Sequence, residues 1–119
     1  MNTQISIKRV YEPLSKDDSF RILIDRLWPR GLKKEAIKED VWLKEIAPST
    51  ALRKWFNHQP AKWATFSKKY KSELEKSPVL EELIQYCKKN KKITLLYAAK
   101  DELHNQAVVL QQFLNDLPG

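Results

Sequence analysis

The segment over residues 20–31, with the sequence FRILIDRLWPRG, constrains the fold more than any other part of the chain. Its first half is apolar on both sides of an extended backbone, which is typical of a central strand covered by helices on its two faces. Pro29 removes a backbone donor and restricts the residue before it, so the strand is predicted to end there. Gly31 then allows a turn. The segment therefore predicts a buried strand that leads into a basic, aromatic corner.

Three other segments complete the pattern of an α/β protein. Ile5 and Ile7 alternate with polar residues, as in a half-buried edge or near-edge strand, and residues 93–97 (ITLLY) are a continuous apolar run typical of a buried parallel strand. Residues 41–46 (VWLKEI) are predicted as a third strand. Together with the helices described next, these segments predict a parallel sheet, because parallel strands need long helical connections.

Apolar residues at helical spacing predict the helices. One helix covers residues 50–56 with Ser49 as its N-cap, one covers residues 61–76, and one follows Ser77 and Pro78. The last is predicted to begin at Asp101 as N-cap and to run to the end, and a short helix is expected at residues 35–38. The fold class is therefore α/β: a small, mainly parallel sheet of about four strands covered by helices, in a single three-layer-like domain over residues 1–119.

Charge and cysteine content narrow the classes of partner. The 119 residues carry a net charge of +7, which favours anionic partners, although the lysine clusters are interpreted as solvated helix faces. Cys87 is the one cysteine and lies on an apolar helical stripe, so it is interpreted as a core residue in a reducing compartment. The chain has no run of about 18 apolar residues that could span a membrane, so a cytoplasmic location without membrane association is expected. The sequence does not indicate an oligomeric state.

The chain segments that leave the strands carry the unusual polar residues. In a parallel sheet the carboxyl ends of the strands lie at one edge, where ligands usually bind. We expect these segments to converge on a pocket for a small anion that contains phosphate or carboxylate. The candidate ligand-binding residues are Arg26, Trp28, Arg30, Ser49, Arg53, Tyr97, Lys100 and Asn105. If a reaction takes place, the acid/base candidates are Asp25, Asp101 and His104.

Simpler structural roles compete with each of these assignments. The two arginines of the corner would equally suit local ion pairs with Asp25 or Glu39. Ser49 and Asp101 are explained as helix caps without any ligand, and Trp28 as a core residue. Both interpretations therefore stand until the three strand exits are placed in space.

Missing motifs exclude several kinds of enzyme. The sequence has no GxGxxG, no GxxxxGK[ST], no HExxH and no Cys/His pair at zinc spacing, so no cofactor and no metal are predicted. A hydrolase triad of Ser49, His104 and an aspartate lacks the GxSxG elbow. The alternative function is a nucleic-acid-binding module that uses the lysine-rich helices, and a third is a protein-interaction domain with an exposed patch of Trp55 and its aromatic neighbours.

Four motifs in combination give the chain a family resemblance. They are IDRLWPRG at 24–31, APS at 47–49 after a tryptophan, LRKWFNHQP at 52–60 and TLLYAAKDELHNQAVVL at 94–110. The chain resembles the bacterial domain of unknown function 488 family, in its YeaO-like branch, over nearly its whole length. The resemblance implies a small, single-domain, cytoplasmic protein and no particular reaction. The positions that the family pattern emphasises are Asp25, Arg26, Trp28, Pro29, Arg30, Gly31, Pro48, Ser49, Arg53, Trp55, Phe56, His58, Tyr97, Lys100, Asp101, His104 and Asn105.

Overall fold

A computed structural model of the chain describes residues 2–118. The strands are β1 (Gln4–Arg9), β2 (Phe20–Leu23), β3 (Val41–Trp42) and β4 (Lys92–Tyr97). The helices are α1 (Lys34–Ile37), α2 (Thr50–Phe56), α3 (Trp63–Glu75), α4 (Leu80–Lys89) and α5 (Gln106–Asn115). No helix within these residues is long and apolar enough to cross a membrane.

The four strands form one parallel sheet in the order β1-β4-β2-β3. This confirms the predicted α/β class and the edge position of the first strand. The central strands β4 and β2 align Ile22 with Leu95 and Leu23 with Leu96, and all four side chains are fully buried. Each such side chain contributes about 1.5 to 3 kcal/mol when it leaves water. Because all strands are parallel, the residues that follow β2 and β4 emerge at the same edge of the sheet.

The helices cover the two faces of the sheet unequally. Ile22 and Leu95 belong to the main core, which includes buried residues from α2, α3, α4 and α5. Leu23 and Leu96 point to the other face, where they pack with Ile37 of the short α1 and with Trp28 and its neighbours. The predicted covering of β2 on both faces is present, but one of the two layers consists of a single short helix and loops.

The predicted end of β2 at Pro29 is wrong, because the strand ends at Leu23. The backbone of Ile24 still donates to Leu96, at 3.1 Å, but the ladder stops there. At Asp25 the side-chain carboxylate accepts from the N–H of Ala98, and the backbone carbonyl accepts from the indole of Trp42. At Asp25, hydrogen bonds that involve side chains replace the backbone hydrogen bonds of the sheet. The chain therefore leaves the sheet before Pro29.

The third strand and the last helix also begin or end differently from the prediction. β3 covers residues 41–42 of the predicted 41–46, since Lys44–Ile46 curls into a 3-10 turn. The last helix begins at Gln106, with Asn105 rather than Asp101 as its N-cap, because the Asn105 side chain accepts from the N–H groups of the first turn. The N-cap prediction for Asp101 is therefore wrong. The prediction of α2 with Ser49 as N-cap is confirmed.

Candidate functional site

A cleft of about 700 Å³ opens at the C-terminal ends of β2 and β4, and we call it the strand-exit cleft. Its volume is in the range typical of sites for small organic molecules. The side chains come from the segment after β2, from the region of α2, and from the segment after β4. The lining residues are Asp25, Arg26, Leu27, Arg30, Arg53, His58, Ala98, Ala99, Lys100, Asp101 and Gln106.

Four cationic side chains line this cleft without ion-pair partners. Among residues 2–118, no carboxylate oxygen lies within 4.0 Å of a side-chain nitrogen of Arg26, Arg30, Arg53 or Lys100. Glu39, a candidate partner for the corner arginines, pairs with Lys34 instead. The cleft therefore contains four cations and two carboxylates, Asp25 and Asp101, and none of these cations lies within 4.0 Å of either carboxylate.

Backbone contacts hold the guanidinium of Arg26, and a side chain holds the main chain at Arg30. The guanidinium of Arg26 donates to the carbonyls of Ala47 at 3.1 Å and Pro48 at 3.4 Å, which leaves other N–H groups of this side chain free. The carbonyl of Arg30 accepts a hydrogen bond from the Tyr11 hydroxyl at 2.8 Å. These contacts anchor the corner after β2 to neighbouring segments, and they position the Arg26 guanidinium, whereas the Arg30 side chain is exposed.

Arg53 occupies a different environment. Its Nε atom is buried and has no hydrogen-bond partner within the part of the chain that the structure describes. A buried donor without a partner destabilises a protein by about 1 to 3 kcal/mol, unless water or a ligand accepts its hydrogen. Arg53 also lines a second cavity of about 60 Å³, which adjoins the cleft and which we call the inner chamber. Arg53 therefore lies at the boundary of the two cavities.

Asp25, which follows β2, forms hydrogen bonds with the segment after β4 and with α5. One carboxylate oxygen accepts from the backbone of Ala98 at 3.0 Å, and the other accepts from the side-chain amide of Gln106. Burial raises the pKa of Asp25 to about 6, although these two hydrogen bonds and the nearby charge of Arg53 oppose the shift. Each oxygen accepts one of these hydrogen bonds, so the carboxylate links the segments after β2 and β4 to the start of α5.

The other two acid/base candidates bond to each other. His104 Nδ1 lies 2.9 Å from the Asp101 carboxylate, whose second oxygen accepts from the backbone of Leu103 and His104. These backbone hydrogen bonds, together with the contact to His104, lower the pKa of Asp101. The imidazole of His104 packs edge-on against Trp63, with ring centroids 5.2 Å apart, and lines the inner chamber. His104 precedes α5, outside the helix that the sequence predicts to begin after Asp101.

Two predicted ligand contacts lie away from the cleft. Ser49 donates its hydroxyl to Glu73 at 2.6 Å and accepts from the backbone of Leu52, so it caps α2 and links it to α3. The indole N–H of Trp28 donates to the carbonyl of Leu32 at 2.7 Å, and the ring belongs to the core of the second sheet face. Both side chains have complete structural roles and neither lines the cleft.

Two more predicted contacts stay within the core or the helix cap. Tyr97 is buried in the main core, and burial raises its pKa. The side chain of Asn105 accepts from the N–H groups of Ala107 and Val108 and donates to the carbonyl of Asp101. Asn105 reaches the inner chamber, but these bonds already use both ends of its amide.

The cleft also contains two polar residues that were not among the strand-exit candidates, although the family pattern emphasises one of them, His58. His58 lines both cavities, although its place in a loop before a proline indicates a turn residue. It follows Asn57, and both have positive φ values of 45° and 53°, a tight left-handed turn that ends α2. An asparagine after the last apolar residue of a helix is the sequence signal for such a turn. No local signal marks Gln106, whose partner Asp25 is 81 residues away.

Fold and site together define a class of protein: a single parallel α/β domain with a basic cleft where its central strands end. The chain belongs to the DUF488 family, since its residues 4–117 match the family model described as the inactive DUF488-N3 subclade. This agrees with the resemblance seen in the sequence motifs. Within residues 2–118, no group of three or more His, Cys, Asp or Glu side chains is arranged to hold a metal ion.

Bacterial relatives match almost the whole chain. The Uncharacterized protein YeaO of Escherichia coli strain K12 is 44% identical over 113 residues, which cover 95% of this chain and 98% of the relative. The Uncharacterized protein Rv3073c of Mycobacterium tuberculosis and the Uncharacterized protein Mb3100c of Mycobacterium bovis are each 37% identical, over 95% of both chains. No solved structure matches this chain significantly.

Proposed function

We propose that this protein binds a small anion containing phosphate or carboxylate in the strand-exit cleft, as a binding protein rather than as an enzyme. The carrying observation is the set of four cations, Arg26, Arg30, Arg53 and Lys100, that line one cleft without a carboxylate within 4.0 Å. The Arg26 guanidinium, which two backbone carbonyls hold in place, is suited to bind carboxylate or phosphate oxygens, because little of its side-chain entropy remains to be lost.

Two observations favour binding without turnover. Asp25 is the most deeply placed carboxylate of the cleft, and both of its oxygens are already bonded to Ala98 and Gln106. These hydrogen bonds give Asp25 a structural role, since they join the segments that follow β2 and β4. The family model that this chain matches is described as inactive, which supports the same conclusion.

The test is the response of thermal stability to added anions. A ligand at about 100 times its Kd stabilises the native state by about 2.7 kcal/mol, enough to raise Tm by several degrees. We expect inorganic phosphate or malonate to raise the Tm of the wild-type protein at low salt. The double variant Arg26→Gln/Arg30→Gln is expected to lose this rise while its circular dichroism spectrum stays native.

The matched control changes the same charge elsewhere. Lys88→Gln/Lys89→Gln removes two positive charges from the end of α4 and leaves the cleft untouched. This control is expected to keep the anion response of the wild type. An equal response in all three proteins contradicts the proposal, since binding would then depend on general charge or on another site.

A second candidate function, nucleic-acid binding, has one specific observation in its favour. The Trp55 ring is 37% exposed, and Lys69 Nζ and Lys62 Nζ lie 4.4 Å and 5.0 Å from its centroid. Exposed aromatic rings beside lysines are typical of surfaces that stack the bases of single strands and neutralise their phosphates. Binding to a mixed-sequence oligonucleotide that falls steeply with salt and is lost in Trp55→Ala would support this function.

A further inference from the structure

A groove of about 500 Å³ lies between α2 and α3, and we call it the α2–α3 groove. Its volume is in the range typical of concave binding sites. The groove and the strand-exit cleft have no lining residue in common, so they are separate surfaces of the protein. Binding in the groove would therefore not depend on the proposed binding of a small anion in the cleft.

Helix α2 gives the groove an apolar side. This side consists of Ala51, which is exposed, Leu52, which is almost completely buried, and the ring of Trp55, which is partly exposed. A partly exposed tryptophan beside a concave apolar surface is typical of the positions that carry most of the binding energy in protein interfaces.

The side of the groove that α3 forms carries lysines in a regular row. Lys62, Lys69 and Lys76 are spaced seven residues apart, and Lys62 and Lys76 are the residues that flank α3. Seven residues are close to two helical turns, so the three follow one side of the helix over about 21 Å. Lys69 and Lys76 line the groove, and Lys62 Nζ lies 5.0 Å from the ring centroid of Trp55. We call these three residues the lysine row.

The acidic residue of the groove does not pair with the lysine row. Glu73 lies four residues after Lys69 and three before Lys76, spacings that favour ion pairs on a helix. Its two carboxylate oxygens instead accept from the N–H and the hydroxyl of Ser49, at 2.8 Å and 2.6 Å. Among residues 2–118, no carboxylate oxygen lies within 4.0 Å of the ammonium groups of Lys62, Lys69 or Lys76. These ammonium groups are therefore available to the carboxylates of a partner.

The lining of the groove fits a peptide better than a nucleic acid. Single-stranded nucleic acids stack successive bases on several aromatic rings, and among the described residues that line the groove only Trp55 has such a ring. Ala51 and Leu52 are aliphatic, as in grooves that receive the apolar side chains of amphipathic peptides. The net charge of +7 also attracts an acidic partner.

We propose that the α2–α3 groove docks an acidic peptide segment of a partner protein. Apolar side chains of the segment pack against Ala51 and Trp55, and its carboxylates contact the lysine row. The tryptophan contact supplies most of the affinity. The lysines raise the rate of association and make the binding sensitive to salt.

The first test is a selection on the wild-type protein from displayed random peptides of about 15 residues, long enough to follow the lysine row as a helix. We expect the enriched peptides to combine Asp and Glu with Leu, Phe or Trp. Fluorescence anisotropy then measures the affinity of an enriched peptide. Trp55→Ala is expected to weaken it about 10- to 100-fold, as for other interface tryptophans. A selection without such peptides, or equal affinity in Trp55→Ala, overturns the proposal.

A matched pair of variants tests the sign of the partner's charge. Ala51 is exposed in the first turn of α2, where a carboxylate favours the helix, so Ala51→Glu should melt no lower than Ala51→Gln. The two side chains are equal in size and differ in charge. We expect the peptide to bind Ala51→Glu at least about 5-fold more weakly, because the new carboxylate repels it. Equal affinities for the two variants contradict the proposed charge complementarity.

The lysine row has a control on the same helix. Lys69→Gln/Lys76→Gln is expected to weaken peptide binding and to reduce its salt dependence. Lys68→Gln/Lys71→Gln removes the same charge from α3 outside the groove and should retain both properties. Equal losses in the two double variants would show that net charge alone attracts the peptide, against the proposal. A single-stranded oligothymidylate that binds more tightly than the peptide, and that Trp55→Ala releases, would assign the groove to nucleic acid instead.

Discussion

The carboxylate of Asp25 accepts a hydrogen bond at 3.0 Å from the backbone N–H of Ala98, a residue 73 positions away in the chain. This contact joins the segments that follow the two central strands. The second oxygen of Asp25 accepts from Gln106 at the start of α5, so three segments of the cleft meet at one side chain. These hydrogen bonds stabilise the native state. Burial has the opposite effect, because it removes the charged carboxylate from water.

The first prediction follows from the pKa of Asp25, which burial raises from 3.8 to about 6. A raised folded-state pKa means that the native state binds the proton more tightly, so this stability is fully present below about pH 4 and is lost as pH rises through 6. Asp25→Asn has no such titration. Between pH 4 and 7, wild-type protein should lose up to about 3 kcal/mol of unfolding free energy relative to Asp25→Asn.

Urea unfolding at a series of pH values measures this difference. The amide that replaces the carboxylate changes the hydrogen bonds at this position and adds an offset that is independent of pH, so the slope of the difference is the informative quantity. Parallel pH profiles for the two proteins would show that the carboxylate titrates normally in the folded state.

The second prediction concerns the ion cluster formed by Lys8, Asp18 and Arg21. Asp18 bonds to both Lys8 and Arg21, and Asp18 and Arg21 are almost completely buried. Burial alone would raise the pKa of Asp18, but hydrogen bonds from Lys8 and the backbone hold it below its usual value. Asp18→Ala leaves two cations without their shared anion and should lower the free energy of unfolding by about 3 to 5 kcal/mol.

Asp17→Ala is the matched control, because this neighbouring carboxylate is exposed and its loss should change stability by less than about 0.5 kcal/mol. The lowered pKa also sets the pH dependence. The contribution of Asp18 is present above its unfolded pKa and disappears as pH falls through its lower folded value. A stability of Asp18→Ala equal to that of the control would mean that the cluster contributes nothing.

The fold was predictable from sequence where local pattern allowed one answer. The central strands β2 and β4 are apolar on both faces, and that pattern fits buried parallel strands best. The Ser49 cap depends on neighbours three residues away and was also correct. The end of β2 was not predictable, because Asp25 ends it through contacts with Trp42 and Ala98, and no local pattern encodes those distances.

The site was predictable to the extent that it depends on topology. Arg26, Arg30 and Lys100 closely follow parallel strands, and the sheet brings such residues to one edge. Ser49 was assigned to the site by the same argument, but its hydroxyl donates a hydrogen bond to Glu73 of α3 instead. Whether a polar side chain faces a ligand or another side chain depends on long-range partners, which a single sequence does not show.

The third prediction separates structure from binding at Ser49. Its hydroxyl accepts from the backbone of Leu52 and donates to Glu73, so Ser49→Ala should lower the free energy of unfolding by about 1 to 2 kcal/mol. Its anion affinity should equal that of wild type, as calorimetry with malonate would show. Ser72→Ala, in the same groove between α2 and α3 but exposed, should leave both quantities unchanged. A loss of anion affinity in Ser49→Ala would place Ser49 in the binding site after all.

The last prediction uses Cys87, whose side chain is fully buried on the core face of α4. Burial raises the pKa of this thiol to about 11, against about 8.5 for an unfolded cysteine. Since the thiolate is the reactive species, the native protein at pH 8 should react with a disulfide reagent at least about 100-fold more slowly than the protein in urea. Cys87 is the one thiol of the chain, so the chromophore that the disulfide reagent releases measures the reaction of this thiol alone. Rapid native labelling would show that α4 opens readily and that this thiol does not stay within the core.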